Sequence, residues 1–420
     1  MAFIPFIYFT LLTIYWWKTH KCFDVCVYMS SLYALSSFCS IFLVYGNLLG
    51  EGGVLYDEFD LELNPLPTFL FCALHTFCIL PFTLIYKKDL RVITPPQSLI
   101  LTIVSWTLIA VALLNLYLVA DSTIEILSGN LETVRLDHYK GLMSPAQIKA
   151  ESLPSIFGYF YYLNVSTLVA LPIFFYYLCF EHKPWWFKSL LLFTSLSVPI
   201  AGIQAVDRTE IMFYGLMFIF CLVFFNKMLS KKLKRIMSIA SIPIAVLFLV
   251  YVIAVSQARF SDKDGGAATS ALQYTGQGYI NFCYFWENHN SDYIATEREF
   301  PLINHALYKI DSNPDRRGDR SGKQGFFISV FPTYLGDILL DISEIGLFIW
   351  VSYFFLICLL TIKASHREEF NVGEVITIFI LAVIPVFGIF YYRYFYYTYT
   401  FLLVITAAVY ILSKIKFIYR

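Results

Sequence analysis

Arginines set among carboxylates and tyrosines, where the chain turns between apolar runs, are the residues of this sequence best suited to chemistry. Asp207-Arg208-Thr209-Glu210 places three formal charges between Ser189–Val206 and Ile211–Phe225, with almost no loop to hold them. A charge at bilayer depth costs about 2 to 4 kcal/mol unless something pairs with it. Arg259 follows a further apolar run, and Arg393 lies in Tyr391-Tyr392-Arg393-Tyr394, the only turn between the last two. A guanidinium is always charged and presents a planar fork of donors to phosphate oxygens, so three converging arginines would suit a diphosphate. The plainer alternative is that they anchor the topology, or that Arg208 simply pairs with Asp207 and Glu210.

Acid–base candidates are fewer. Glu210 stands in the first turn of a helix, where the macrodipole favours an anion, so it is either a base or a capping carboxylate. His305, in Asn304-His305-Ala306, offers an imidazole or is merely solvated. Asp337 and Asp341, four apart, share a helix face where the chain re-enters the membrane, placed to orient Arg393, to bind sugar hydroxyls or to end the loop. Tyr274, Tyr279 and Trp286 offer ring faces for stacking or for interfacial anchoring. Cys72, His75 and Cys78 resemble metal ligands in type only, because a repeated three-residue step walks around a helix. No metal site and no cofactor is expected. Arg316, Arg317 and Arg320 read as a solvated basic patch, and the sequon at Asn164 lies inside an apolar span.

The elements that must position these groups are membrane helices. Hydrophobic residues make up 58% of the 420 and charged residues 14%, and mean hydropathy is +0.66, whereas a soluble domain carries about 25% charged residues. The pattern predicts an all-α, polytopic membrane protein with about 11 spans of roughly 20 residues each. They fall at Ala2–Trp17, Val25–Tyr45, Pro67–Tyr86, Ser98–Ala120, Ser155–Phe180, Ser189–Val206, Ile211–Phe225, Ile236–Ser256, Ile345–Ile362, Val375–Phe390 and Tyr394–Ser413. One membrane domain over 1–420 is expected, with a large external loop at 257–344 between the eighth and ninth spans and a smaller one at 121–154. Within the large loop, Tyr274–Trp286 suits a short amphipathic helix. Lysines and arginines gather on one side, so the positive-inside rule puts the N-terminus outside and the C-terminus in the cytoplasm. No phosphate-binding glycine loop or dinucleotide fingerprint occurs. A net charge of zero suggests no nucleic-acid partner.

Layout and short motifs together resemble the Wzy-type O-antigen and oligosaccharide repeat-unit polymerases. The resemblance rests on Asp207-Arg208-Thr209-Glu210, on Ala258-Arg259-Phe260 ahead of a large outer loop, and on the re-entry segment Phe331-Pro332-Thr333-Tyr334-Leu335-Gly336-Asp337-Ile338-Leu339-Leu340-Asp341. Family members commonly have an Asp, an aromatic and a Gly at the end of that segment. This chain has Asp341-Ile342-Ser343 and reaches Gly346 later. The resemblance implies a metal-independent, inverting glycosyltransferase at the periplasmic face of a bacterial inner membrane, with its N-terminus periplasmic. It would move a growing glycan from undecaprenyl diphosphate to a hydroxyl of a new lipid-linked unit. Its partners would be the lipid-linked donor and acceptor, the bilayer, a chain-length regulator and a flippase. On that expectation Arg208, Arg259 and Arg393 hold the diphosphate, Glu210 or His305 assists the hydroxyl, and Asp207, Asp337, Asp341, Tyr391 and Tyr392 orient. The alternatives are an O-antigen ligase acting on lipid A core and a repeat-unit flippase. A membrane acyltransferase would need His75, the one intramembrane histidine.

Overall fold

The computed structural model describes residues 1–46, 48, 63–93, 97–127, 162–180, 183–204, 208–237, 239, 246, 266–290, 321–322, 324–326, 328, 330–363, 369–395 and 397–414. Along the chain come α1 (Phe3–His20), α2 (Val25–Tyr45), α3 (Pro65–Ile79) with a 3-10 continuation (Leu80–Lys87), β1 (Asp89–Leu90) and α4 (Gln97–Leu127). A 3-10 turn (Leu163–Val169) leads into α5 (Ala170–Phe180), followed by α6 (Trp185–Ser195), α7 (Ser197–Gln204) and α8 (Thr209–Phe224). The remainder is α9 (Gly266–Asn288), α10 (Thr333–Lys363), β2 (Glu369–Phe370), α11 (Val372–Phe387), a 3-10 turn (Arg393–Phe395) and α12 (Tyr397–Lys414). The chain is an all-α protein. Among the described residues six helical segments are long and apolar enough to cross a membrane, and three shorter apolar helices accompany them.

The chain divides into two compact units. The first comprises 1–88, 260–368 and 380–400; the second comprises 89–259, 369–379 and 401–420.

In the first unit, α2 begins where Asp24 caps it, one carboxylate oxygen accepting from the N–H groups of Cys26 and Val27 at 3.1 Å each. These two donors have no partner within the helix, so the cap satisfies them. The other oxygen meets His20 Nδ1 at 2.5 Å, and the His20 ring stacks on Tyr86 at 4.0 Å. Pro65 opens α3, where its missing N–H costs nothing. At the far end of α10, Lys88 Nζ donates to the carbonyl of Ile362 at 2.5 Å, a cation placed against a helix C-terminus.

A close helix contact in this unit joins α2 to α9. Ser36 Oγ donates to the carbonyl of Thr275 at 2.7 Å, and Ser40 Oγ to that of Gly276 at 2.5 Å. A Cβ on Gly276 would stand 2.7 Å from the backbone of Cys39 and Ser40, so only glycine permits the approach. Small residues and serine hydroxyls are the usual adhesive between membrane helices, since burying apolar surface from lipid supplies no drive. The segment expected to be a short amphipathic helix inside an outer loop is therefore a 23-residue helix docked along a candidate span. Its first three turns are poor in large apolar side chains, because Gly, Ser, Thr and Gln occupy them.

The second unit is pinned by polar contacts between apolar helices. Ser197 Oγ donates to Asn164 Oδ1 at 2.9 Å and lies 2.7 Å from Thr167 Oγ1, which keeps the Asn164 sequon buried. Ser195 Oγ lies 3.0 Å from Tyr214 Oη. The parallel pair β1–β2 is extended by Arg91 N–H to the carbonyl of Phe370 at 2.7 Å, and Tyr176 Oη donates to the Arg91 carbonyl at 2.8 Å. At the start of α11, Asn371 and Glu374 cap each other reciprocally, each backbone N–H donating to the other side chain at 2.9 Å. Glu374 is also ion-paired to Lys414. The run read as one span at Ser189–Val206 overlaps the candidate span Trp185–Ile203, which is built of two helices, α6 and α7, meeting at Leu196. α4 continues to Leu127, seven residues into the expected 121–154 loop.

Candidate functional site

The groups that sequence reading offered are best assembled in the first unit, where the chain turns between α11 and α12. Phe387 ends α11, the chain passes through Tyr391 and Tyr392, and Arg393 starts a three-residue 3-10 turn. Arg393 is 3% exposed. Its Nη2 donates to Tyr399 Oη at 2.6 Å, and its Nη1 donates to Tyr391 Oη. The guanidinium carbon lies 4.3 Å from the ring centre of Tyr399, 5.3 Å from that of Phe387 and 5.7 Å from that of Tyr391. A desolvated cation facing aromatic quadrupoles is held by cation–π attraction as well as by its hydrogen bonds.

The turn is fixed from beneath by α10. Asp337 is 1% exposed and accepts from the backbone N–H of Tyr392 at 2.7 Å through Oδ2. Asp341, one helical turn on, is fully buried. The two carboxylates do share a helix face, as their spacing of four requires. Leading into the helix, Thr333 N–H donates to the carbonyl of Phe390 and Tyr334 N–H to that of Gly388, both at 3.0 Å. Gly388 is required there, because a Cβ would stand 2.4 Å from the Tyr334 ring and 2.1 Å from the carbonyl oxygen of Ile384.

An aromatic row flanks the arginine. Tyr391 stacks on Phe331 at 5.6 Å and 17°, and Phe331 meets Tyr274 of α9 at 5.1 Å. Tyr274 and Tyr391 are each half-buried, so each keeps part of its ring surface open. Tyr279 does not belong to this row. It is fully buried, its Oη is 2.8 Å from Thr68 Oγ1 and its ring packs on Phe71; it is a packing residue with no face to offer a sugar. Trp286 lies near the end of α9 against Phe282 and Phe348.

Asp337, Tyr391, Tyr392 and Arg393 are thus linked by direct contacts, and Tyr274 joins them through Phe331. In the second unit, Arg208 is the half-buried N-cap residue of α8, its carbonyl accepting from Met212 N–H at 3.0 Å, and Glu210 lies in the first turn. Asp207, Arg259 and His305 lie outside the described residues, as do Arg316, Arg317, Arg320 and most of the Ile236–Ser256 run.

Tyr399 went unnoticed in the sequence because nothing separates it there from a span-end aromatic. His75 packs among Phe71, Tyr33 and Tyr334, and its Nδ1 is 2.7 Å from the carbonyl of Phe71. Among the described residues no three His, Cys, Asp or Glu side chains gather as a metal site would need. Comparison with protein-family models, with characterised proteins and with solved structures yields no match for this chain.

Proposed function

We propose that this chain is a membrane-embedded glycosyltransferase with about 11 spans, polymerising lipid-linked oligosaccharide repeat units at the periplasmic face of a bacterial inner membrane. The observation that carries the reading is Arg393. A buried, permanently charged guanidinium, held between two tyrosine hydroxyls in a turn tied to Asp337, is a preorganised cation in a low-dielectric setting. Such a cation stabilises charge that develops on a leaving group more than charge already present in the ground state.

In the proposed reaction a hydroxyl oxygen of the incoming unit bonds to the anomeric carbon of the growing glycan, with inversion. The bond from that carbon to the diphosphate oxygen breaks, its electron pair leaves with undecaprenyl diphosphate, and Arg393 bears on the new negative charge. The hydroxyl proton passes to a carboxylate or imidazole. Tyr274 and Tyr391 present the partly open rings on which sugar faces would stack.

The test is direct. Purified protein in lipid vesicles, given a synthetic undecaprenyl-diphosphate repeat unit without metal or nucleotide, should yield a ladder of longer lipid-linked chains. A single product that appears only on addition of lipid A core would make it a ligase. Intact lipid crossing the bilayer with no new product would make it a transporter.

A further inference from the structure

The helix that carries Asp337 is broken, and the break is the most unusual backbone feature among the described residues of the first unit. Inside α10, Ser343 has φ 62° and ψ −178°, a region that only glycine enters without strain. Thr333, at the other end of the same segment, has φ 65°. The stretch between them is a short rod with a left-handed residue at each end.

The two halves of α10 differ in surroundings. Thr333 to Asp341 are buried without exception, whereas beyond the break Ile345, Ile349, Tyr353 and Leu360 are exposed along one stripe. A broken helix at membrane depth is tolerated only where protein re-satisfies its backbone, and here one side chain does so. The carbonyl of Leu340, whose partner in an unbroken helix is the N–H of Glu344, accepts from Gln324 Nε2 at 3.1 Å. Gln324 Oε1 in turn accepts from Asn290 N–H, just past α9, at 2.8 Å. Glu344 Oε2 accepts from Ser343 Oγ at 2.5 Å and lies 3.2 Å from His289 Nε2, an ion pair that forms with the imidazole protonated. His289 Nδ1 is held by the carbonyls of Phe285 and Trp286 at 3.0 and 3.2 Å. Gln324 and Glu344 therefore latch the break to the end of α9.

We infer that α10 is a two-state element, latched in its broken form by the His289–Glu344 and Gln324–Leu340 contacts, and that straightening at Ser343 withdraws Asp337 from the Tyr392 amide. The strain at Ser343 favours straightening, while the latch and the buried packing of 333–341 oppose it. The broken state is then the one in which the Arg393 turn is held. Its functional consequence rests on the reading of that turn as the working site; the two-state behaviour does not.

Hydrogen–deuterium exchange on the full chain in lipid nanodiscs tests it without substrate. Glu344→Ala opens the latch and should speed exchange several-fold in peptides covering 333–343 and, together with them, in 388–394, leaving α2 unchanged. Ser343→Gly relieves the strain while keeping the break, and should slow exchange in both peptides. Faster exchange confined to residues beside Glu344, or a Ser343→Gly protein that exchanges as wild type does, would overturn the inference. If Glu344→Ala fails to fold, the Ser343→Gly result decides alone. Failure of the glycosyltransferase assay would leave these readings untouched.

Discussion

The carboxylate of Asp337 and the backbone N–H of Tyr392 are hydrogen-bonded at 2.7 Å across 55 residues of sequence. Both groups are buried, so the bond ties the turn that presents Arg393 to α10. Replacing Asp337 by Ala leaves the amide without this acceptor, a loss of about 1 to 3 kcal/mol. Asp337→Asn keeps an oxygen in place and should recover more than half of it. Thermal unfolding of the two variants in the same detergent should rank them wild type, Asn, Ala.

The arginine cage gives a second prediction. Tyr399→Phe preserves the ring beneath the guanidinium and removes only the hydroxyl that accepts from Nη2. A hydrogen bond to a charged group is worth about 1.5 to 3 kcal/mol, so Tyr399→Phe should lower stability by that order. Tyr399→Leu should lower it further through the lost cation–π contact. A double-mutant cycle between Tyr399→Phe and Arg393→Lys should show non-additive coupling, whereas independent effects would mean that the two groups do not interact.

Gly276 and Gly215 make a matched pair. On Gly276 a Cβ would lie 2.7 Å from the backbone of Cys39 and Ser40, while on Gly215 it would meet nothing within 4 Å among the described residues. Gly276→Ala must push α2 and α9 apart, at about 1 to 3 kcal/mol for overpacking, and weaken the Ser36 and Ser40 hydrogen bonds. Gly215→Ala should be neutral or mildly stabilising. Unfolding midpoints of the two proteins should move in opposite directions, or only the first should move.

His75 offers a subtler case. Its Nδ1 faces the carbonyl of Phe71, which can only accept, so Nδ1 carries the proton and Nε2 is an acceptor; among the described residues the buried Nε2 has no hydrogen-bond partner. A buried acceptor left without a donor is a cost that an apolar ring of similar size avoids. His75→Phe should therefore be neutral or stabilising, whereas His75→Ala opens a cavity and should cost about 3 kcal/mol, the range for large-to-small core changes. Loss of all folding in His75→Phe would show that Nε2 has a partner of its own.

Much of the scaffold was legible in the sequence, because apolar length is a strong signal and is read one helix at a time. Val25–Tyr45 has the bounds expected of it, and the Asp337–Asp341 spacing correctly placed two residues on one helix face. α9 was harder, since its surface is matched to serines of α2 and so lacks the long apolar run that marks a span. The break at Ser343 left no trace either: neither Ser nor Thr announces a left-handed backbone as glycine would. Tyr399 became visible only once the fold showed which rings face Arg393, for cage membership is a property of packing between segments. The Arg208 and Glu210 pair was readable as a helix start, and that is where both lie, at the N-cap and in the first turn of α8.

The central claim is that Arg393 stabilises a departing lipid diphosphate. It is tested most directly by measuring release of undecaprenyl diphosphate from a synthetic lipid-linked repeat unit by wild type and by Arg393→Lys, with both shown to be folded. Lysine keeps the charge and loses the planar fork. The account predicts one undecaprenyl diphosphate released for each unit added by wild type and a fall of about 100-fold for the variant, the order seen when a preorganised donor to a developing anion is removed. Release by Arg393→Lys at the wild-type rate, or no release by wild type while intact lipid is transported, would contradict it.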